Sequence, residues 1–404
     1  MTDRTTLDRA PLDGILVLDL SRALAGPHAG QMLGDLGARV IKIENPKGGD
    51  DTRGWGPPFV GDDEISTYFL SCNRNKESVT LDLKDDTDRE RFRELVRRAD
   101  VVLENFRPGV MERLGFGPKD LQHLNERLIY CAISGFGHDG PEGGRAGYDQ
   151  IAQGESGLMS LTGPDPDTPT KVGVPIGDLL AGIHAAYGIV TALYEREHTG
   201  RGRVVRASLL SSLMSVHAFQ GTAHTIGGKV PRGKGNHHPS ISPYGLFHAA
   251  DGPVQIAVGS ERQWRQLCEG LSLDPDAEGM ATNRERVENR DRVTALLNEQ
   301  FADMAADDVL ARLSEIGIPC GRVRTLDEVY SWDQAASQGM LLDVDHPDLG
   351  TITLTGNALR FDDNTYSGGR REHRYPPRLG EHNDAVWAWL DESKDATEAK
   401  EDDR

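Results

Sequence analysis

The sequence is short of lysine, and its surplus of acidic residues excludes two classes of binding partner. Only 10 of its 45 basic residues are Lys, whereas Asp and Glu number 64, so the formal net charge of the 404-residue chain is −19. A field of that sign repels nucleic acid and anionic membranes, and neither is expected as a partner. The charge suits either an ordinary acidic protein or one adapted to high salt, where ions screen a dense negative surface.

Cysteine is also scarce, and the spacing of the cysteines excludes the common cysteine-based sites. No C-x-x-C pair occurs, so neither a zinc site nor a disulfide framework is indicated. A reducing cytoplasm is therefore the expected location. The four cysteines are Cys72, Cys131, Cys268 and Cys320.

Signals for export and for membrane insertion are absent as well. The first fourteen residues contain no apolar core of the kind that signal peptides have. The longest apolar stretch, 174–194, includes Asp178 and His184 and is interrupted by three glycines. We therefore predict a buried helix there rather than a membrane span. Internal repeats and the glycine-rich loops of nucleotide-binding proteins are not found.

Short β-rich runs alternate with helical patterns over the first half of the chain. This alternation predicts an α/β fold with a mostly parallel sheet covered by helices, whose ligands bind beyond the carboxyl ends of the strands. The predicted strands are 15–20, 38–44, 78–83, 101–105, 127–136 and 203–210, and the predicted helices include 26–37, 87–96 with Thr87 as a cap, and about 178–198.

The second half of the chain has a different texture. Residues 221–243 are rich in Gly, His and Pro, which is typical of a linker or mobile loop. A hairpin (244–259) and helical segments (261–271 and 280–316) follow, so a smaller domain is predicted over about 225–330. The charge-rich tail, 391–404, is predicted to be a frayed end.

Asp178 is the most informative single residue, because it opens a strongly apolar helix just after Pro175 and Gly177. A carboxylate there gains about 0.3–1 kcal/mol from the helix dipole. We expect it to be ionised at neutral pH, since its ordinary pKa is about 3.9. Such a carboxylate can attack a thioester carbonyl. The alternative is that Asp178 is a plain N-cap.

The segment 172–202 resembles the signature of class III CoA-transferases, the family of formyl-CoA and carnitine CoA-transferases, which also includes α-methylacyl-CoA racemase. The resemblance continues in order along nearly the whole chain, and Asp178 falls at the position of the family's nucleophile. The other matching segments are LVLDLSRALAGPHAGQMLGDLGARVIKIE (16–44), NRNKESVTLDLK (73–84), VLENFRPGVMERLG (102–115), RLIYCAISGFG (127–137), RAGYDQIAQ (145–153), GNHHPSISPYGLF (235–247), GIPCGRV (317–323) and LGEH (379–382).

The resemblance implies an activity in which CoA passes between carboxylic acids through an aspartyl-CoA thioester on Asp178. Acyl-CoA and a small carboxylate are then the substrates, and no cofactor beyond CoA itself is implied. Salt-adapted archaea that use this family suggest succinyl-CoA as donor and mesaconate as acceptor, while other acids and an intramolecular transfer stay open.

The resemblance also assigns roles to residues around Asp178. It implies that CoA is bound through residues that follow or precede strand ends, where an acidic protein must supply local positive charge. The family positions are Asn73, Lys76, Asn105 and Arg113, and the location of Arg74 and Arg107 beside predicted strands adds them to the candidates for CoA binding. For the acyl groups it implies a site lined by Leu24, Ala25, Tyr148, Asp149 and His238. Formyl-CoA transferase has a Gln in place of Leu24, so any oxyanion contact here would have to come from backbone N–H groups.

The segment 235–243 is similar to the family's active-site loop, and we interpret it as a lid. His237 and His238 lie next to each other, but no third residue has the spacing of a metal ligand, and no metal is predicted.

The resemblance further implies an interlocked homodimer, each chain having a Rossmann-like large domain and a smaller α+β domain. Residues 1–220 would form the first part of the large CoA-binding domain, 221–330 the linker and small domain, and 331–404 the return to the large domain.

Two alternatives to a transferase remain. A racemase of the same fold needs a His and an Asp on either side of the α-carbon, and the expected His position holds Tyr148. With an ordinary pKa of about 10, tyrosine is a poor base at pH 7, which favours the transferase. The second alternative is a non-catalytic CoA-binding protein, against which Asp178 argues.

Overall fold

The computed structural model describes residues 9–362 and 364–401. Two predictions therefore fall partly outside the described residues. Residues 1–8 make up most of the segment predicted to lack a signal peptide, and the last three residues belong to the predicted frayed tail. Within the described part, the chain divides into two compact units. Of the described residues, 9–158, 172–219, 332–362 and 364–401 form the larger unit, and Met159–Lys171 and Gln220–Ser331 form the smaller.

Thirteen strands are formed by the described residues. They are β1 (Leu16–Asp19), β2 (Arg39–Glu44), β3 (Phe59–Val60), β4 (Ile65–Ser66), β5 (Lys76–Thr80), β6 (Val101–Glu104), β7 (Ile129–Ser134), β8 (Val204–Ser208), β9 (Tyr244–Ala249), β10 (Gly252–Ala257), β11 (Cys320–Arg322), β12 (Leu341–His346) and β13 (Gly350–Thr355).

Seventeen α-helices accompany these strands in the described part of the chain. They are α1 (Ala25–Asp35), α2 (Thr67–Ser71), α3 (Asp86–Arg98), α4 (Val110–Arg113), α5 (Pro118–Leu124), α6 (Asp149–Glu155), α7 (Leu158–Leu161), α8 (Ile176–Thr199), α9 (Leu209–Ser215), α10 (Ala218–Thr225), α11 (Glu261–Leu271), α12 (Asn283–Glu288), α13 (Arg290–Phe301), α14 (Ala306–Glu315), α15 (Leu326–Tyr330), α16 (Asp333–Ser337) and α17 (Asn383–Glu401).

The larger unit is built on a six-stranded sheet in the order β5-β2-β1-β6-β7-β8. All neighbouring pairs are parallel, which confirms the predicted mixed α/β fold with a parallel sheet. The order reverses between β1 and β6, and in doubly wound sheets a crevice for ligands opens at the carboxyl ends of the two strands at this point.

Helices cover both faces of this sheet, which is why its strands are apolar without alternation. Val17 and Leu18 are adjacent in β1, point to opposite faces and are both fully buried. Val17 packs with Ala29 of α1 and Ala185 of α8, whereas Leu18 belongs to a second core that contains Phe92 of α3.

Helix α8 is the one described helix long and apolar enough to span a membrane by length and hydropathy alone. Most residues of its buried face are Gly or Ala, and this face packs in the core beside α1. At Gly182 an added Cβ would lie 2.6 Å from the carbonyl oxygen of Ala25. The glycine therefore allows α8 to approach the first residue of α1 closely.

The smaller unit contains a three-stranded antiparallel sheet, β11-β10-β9, with α11, α13 and α14 around a core that includes Phe247 and Trp264. Residues 159–171, which the predicted boundaries place in the large domain, group with this unit instead. The reason is backbone pairing: Gly233 donates to the carbonyl of Ser160 at 2.9 Å, and Gly235 donates to that of Gly163 at 2.7 Å.

Three local predictions are wrong. Helix α3 is capped by Asp85, whose side chain accepts the N–H groups of Thr87 and Asp88, so Thr87 is not the cap. Part of the predicted 221–243 loop is helical, because α10 continues to Thr225. The predicted frayed tail is helical up to Glu401.

Candidate active site at the start of helix α8

Asp178 lies in the first turn of α8 and is not its cap. The helix begins at Ile176 after Pro175 in the cap position, so the plain N-cap interpretation of Asp178 is wrong. Residues four apart share a helix face, and Gly182 on this face meets Ala25. Asp178 is thereby directed toward the start of α1 and the loop that follows β1.

Two side chains fix the segment that leads into Asp178. Asp149, at the start of α6, accepts the backbone N–H of Gly177 at 2.7 Å and the Nε2 amide of Gln153 at 2.7 Å. The Oε1 atom of Gln153 accepts the N–H of Val172 at 2.9 Å, and Gln153 is fully buried. The 172–177 segment is therefore held at both ends.

The electrostatics of Asp178 differ from the expectation. Burial, and after it the charge of Asp149, raise the pKa of Asp178 to about 7. No described residue donates a hydrogen bond to its carboxylate that would oppose this rise. Asp178 was predicted to have an ordinary pKa and to be fully ionised at neutral pH. It is instead half-buried, and only part of the molecules carry it in the ionised form at neutral pH.

Tyr68 is a member of the site that the sequence pattern does not predict. Burial, and then the charges on Asp178 and other acidic groups, raise the pKa of the Tyr68 phenol, so it stays protonated and can donate a hydrogen bond. Its ring packs edge-on against Trp55 with centroids 5.2 Å apart. The sequence feature that could have identified Tyr68 is its position shortly before residues 73–76, which lie in a segment that resembles the family.

The loop between β1 and α1 is held by three side chains at the sheet's crevice. Asn105, which follows β6, donates to the carbonyl of Arg22 at 2.7 Å and accepts its N–H at 2.8 Å. Lys42 donates to the carbonyl of Ser21 at 2.9 Å, and Asp50 accepts the N–H of Ala23 at 3.1 Å. Ala23 has a φ of 62°, a left-handed conformation that this bonding sustains.

Leu24 and Ala25 follow directly in this loop, and both are buried. Leu24 occupies the cap position of α1 without a side-chain bond to the helix. The first N–H groups of α1 are accordingly not taken up by a capping side chain, which is the arrangement needed if backbone donors are to meet an oxyanion.

Asn73, Arg74 and Lys76, which are predicted to bind CoA, make contacts within the protein. Lys76 donates to Asp19 at 2.9 Å, to the Pro27 carbonyl at 2.8 Å and to Asn73 at 2.9 Å. Arg74 forms a two-pronged pair with Asp35 at 2.9 and 2.7 Å. All three predicted side chains are buried. In this arrangement the three side chains contact the protein itself, at the loop and at α1, and their predicted contact with CoA stays a prediction.

Arg107 and Arg113 are exposed beyond the carboxyl end of β6, at the edge where a polyanion can reach them. Arg107 also lines a cavity of about 110 Å³ with Glu104, His138 and Arg206. Burial raises the pKa of Glu104 to about 7.

Two further predicted residues, Tyr148 and His238, are placed as follows. Tyr148 precedes α6 and is 72% exposed. His238 belongs to the smaller unit, where its ring lies 5.1 Å from that of Tyr244 and its Nδ1 accepts the N–H of Ser240 at 3.1 Å. Among the described residues no group of three or more His, Cys, Asp or Glu is arranged to hold a metal ion.

Comparison with known proteins identifies the family of this chain. A sequence model of CoA-transferase family III matches residues 12–383. Succinyl-CoA:glutarate CoA-transferase of Mus musculus is 40% identical over 92% of this chain and 84% of its own length. Succinyl-CoA:mesaconate CoA-transferase of Haloarcula hispanica is 38% identical over 92% of this chain and 94% of its own.

A solved structure gives the same result in three dimensions. The crystal structure of a CAIB/BAIF family protein from Brucella suis superposes with a TM-score of 0.83 and is 40% identical, with 95% of this chain and all of that chain covered. The predicted family is thus confirmed by sequence and by fold over nearly the whole chain. The chain that carries Asp178 at the start of α8 belongs to CoA-transferase family III.

Proposed function

We propose that this protein moves CoA from succinyl-CoA to a small carboxylic acid, with Asp178 as the nucleophile. The observation that carries the proposal is a half-buried carboxylate in the first turn of α8, fixed through Asp149 and Gly177 and not engaged by a described hydrogen-bond donor. Such a group keeps its nucleophilic lone pairs available.

The proposed reaction conserves the energy of the thioester. An Asp178 oxygen attacks the acyl carbonyl, the C–S bond breaks, and a mixed anhydride and CoA thiolate form. The thiolate then attacks the Asp178 carbonyl, releasing the first acid as its carboxylate and leaving an aspartyl-CoA thioester. The acceptor carboxylate reverses these steps and leaves as its CoA thioester, and Asp178 is regenerated. Water must stay excluded, because it would hydrolyse both activated carbonyls.

The relatives narrow the choice of acids. The two relatives described above are both named as succinyl-CoA transferases and differ in the acceptor, which is glutarate in one and mesaconate in the other. We assign the acceptor of this protein to the same class of small dicarboxylates. Mesaconate is the first candidate, because the net charge of −19 suits a protein adapted to high salt and the relative that uses mesaconate comes from Haloarcula.

We assign binding roles to residues in two groups, one for the CoA phosphates and one for the acyl moiety. Arg107 and Arg113 are assigned to the CoA phosphates, with Asn105 holding the adjoining loop. The residues assigned to the acyl site are Leu24, Ala25, Tyr148, Asp149 and His238. Asp149 acts there by fixing the position of Asp178 and by raising its pKa. CoA enters as a substrate, and we assign no further cofactor.

We also assign a homodimer, interlocked as in the family, to this protein. Support comes from the outer face of α8, where Ile183, Tyr187, Val190 and Tyr194 are exposed. Their spacing of four, three and four residues places them on one stripe of the helix, and an apolar stripe of this size is typical of a subunit interface.

The decisive experiment traps the intermediate. Incubation with succinyl-CoA and then borohydride should modify the peptide that contains Asp178, as read by mass spectrometry, and Asp178→Asn should show no modification. The same variant should lose CoA exchange by about 10⁴-fold. Undiminished exchange in Asp178→Asn would exclude the proposed nucleophile. Incubation of a chiral 2-methylacyl-CoA in deuterated water tests the racemase, because only a racemase exchanges the C2 proton.

A further inference from the structure

A second cleft lies at the opposite edge of the parallel sheet. It has a volume of about 550 Å³ and is lined by Leu16 at the start of β1, Arg39 at the start of β2, and Asp100 just before β6. These residues mark the amino ends of the strands, whereas the loops that surround Asp178 follow the carboxyl ends. The cleft is therefore separate from the active site.

Four arginines line this cleft, in a protein whose net charge is −19. Arg39, Arg98, Arg370 and Arg374 come from three distant parts of the sequence. Like charges repel, so gathering four guanidinium groups is unfavourable unless something in the cleft compensates for it.

The acidic residues of the cleft provide only part of that compensation. Glu77 is shared, since it accepts from Arg39 at 3.0 and 2.8 Å and from Arg374 at 3.2 Å. Asp100 is paired with Arg196, outside the cleft lining, at 2.8 Å. Asp13 lies 3.8 Å from Arg9.

Arg370 is the least compensated of these cations. Its guanidinium is half-buried and donates to the Asn75 Oδ1 atom at 3.3 Å, and no carboxylate of the described residues lies within 4 Å of it. Burial lowers the pKa of Arg370, and the neighbouring charge of Arg374 adds to this effect, whereas the charges of Asp35 and Asp13 oppose it. A bound anion would remove this repulsion.

The wall of the cleft is partly apolar and orients one of its arginines. The guanidinium of Arg39 lies 4.2 Å from the ring centroid of Trp389, and Ile15, Leu16 and Val40 add aliphatic surface. A volume of this size is typical of sites for small organic ligands and is far larger than one inorganic anion requires.

We propose that the cleft of Arg39, Arg98, Arg370 and Arg374 is a binding site for an organic polyanion, a metabolite that carries two or more phosphate or carboxylate groups. Guanidinium groups bind both kinds of oxygen anion through paired N–H donors. The Trp389 side of the cleft would contact the ligand's carbon skeleton. This site does not depend on the nucleophile or on the acids assigned above.

The test is a titration of the full-length protein with pyrophosphate, ADP and citrate, at ionic strength held constant with KCl. Thermal unfolding and tryptophan fluorescence are recorded for the wild type and for Arg370→Gln, Arg371→Gln and Arg113→Gln. Arg371 is the exposed neighbour of Arg370 and serves as the matched control, whereas Arg113 reports binding at the CoA site.

We expect a saturable rise in unfolding temperature with at least one of the three probes. Arg370→Gln should weaken this binding by about tenfold or more, while Arg371→Gln and Arg113→Gln leave it unchanged. Trp389→Phe should remove the fluorescence change and keep the thermal one. Tighter binding of ADP than of citrate identifies a phosphorylated ligand, and the reverse identifies a polycarboxylate.

Three results would overturn the proposal. They are the absence of a saturable response to every probe, an equal response in Arg370→Gln and the wild type, and a response lost in Arg113→Gln but kept in Arg370→Gln. The last would place the anion at the CoA site. If Arg370→Gln does not fold, Arg374→Gln is used with the same criteria, because Arg374 is exposed.

Discussion

The carboxylate of Asp149 accepts the backbone N–H of Gly177 at 2.7 Å, one residue before Asp178. One side chain thus fixes the start of the helix that carries the candidate nucleophile and also places a negative charge beside it. The hydrogen bond governs the position of Asp178, and the charge adds to burial, the larger cause, in raising the pKa of Asp178. The two effects can be separated by mutation.

Asp149→Asn should shift the pH dependence of CoA exchange to lower pH. The amide keeps an oxygen that can accept the N–H of Gly177, but it removes the charge that helps to raise the pKa of Asp178 to about 7. Because the ionised form of Asp178 is the nucleophile, the rising limb of the pH–rate profile should have its midpoint near 7 in the wild type and below this in the variant. Profiles measured between pH 5 and 8.5 would contradict this explanation if the midpoint stayed in place or rose.

Asp178→Asn should stabilise the protein at alkaline pH. The pKa of Asp178 in the folded state, about 7, exceeds its ordinary value of 3.8, so the folded state disfavours the charged form. The resulting cost in stability is complete above pH 7 and fades as pH falls toward 3.8. The unfolding temperature of Asp178→Asn should therefore exceed that of the wild type at pH 8, with the difference narrowing by pH 5. Asp165→Asn, at an exposed aspartate, is the control and should show no such trend.

Gln153→Leu should destabilise the segment that precedes Asp178. Leucine is close to glutamine in volume, but it lacks the N–H that donates to Asp149 and the oxygen that accepts the N–H of Val172. Loss of a hydrogen-bond partner by a buried group costs about 1–3 kcal/mol. Because Asp149 and Val172 are half-buried, urea denaturation should show a loss of about 1 kcal/mol in the free energy of unfolding. Gln150→Leu, on the exposed side of the same helix, should leave it almost unchanged; a similar loss there would point to a general weakness of α6.

Lys76→Met distinguishes a structural lysine from one that binds CoA. Removing one partner of the buried Lys76–Asp19 pair leaves a charge unpaired, which typically costs about 3–5 kcal/mol. The exposed Lys84→Met should change stability by less than about 0.5 kcal/mol. If Lys76→Met instead raised KM for acyl-CoA with no change in denaturation midpoint, the original prediction of a CoA contact would be restored.

Patterns of apolar residues were sufficient to predict the frame around the site. The periodicities of 16–19, 25–35 and 39–44 are strong because these elements are buried on a sheet covered from both sides, and β1, α1 and β2 lie where expected. Asp178 was identified by resemblance, since an Asp near a helix start is common and local sequence cannot show its burial.

The charged residues were harder to predict, because a sequence does not show where a charge finds its partner. Lys76 looks like a solvent-facing cation but is bonded to Asp19, 57 positions away, and Arg74 is bonded to Asp35. The pKa of Asp178 likewise depends on Asp149, which a separate helix supplies. These pairings arise only once the sheet has assembled.

Helix α17 has a consequence for how the molecule is made. Its Val386 and Leu390 are fully buried in the core that also contains Leu18, Ile41 and Phe92, and Asn383 accepts the N–H of Thr80 in β5 at 2.9 Å. The ribosome delivers these last pieces only after the other strands and helices have emerged. A chain that lacks α17 would hence expose part of the hydrophobic core, which chaperones and proteases recognise. Only chains that include α17 should therefore accumulate.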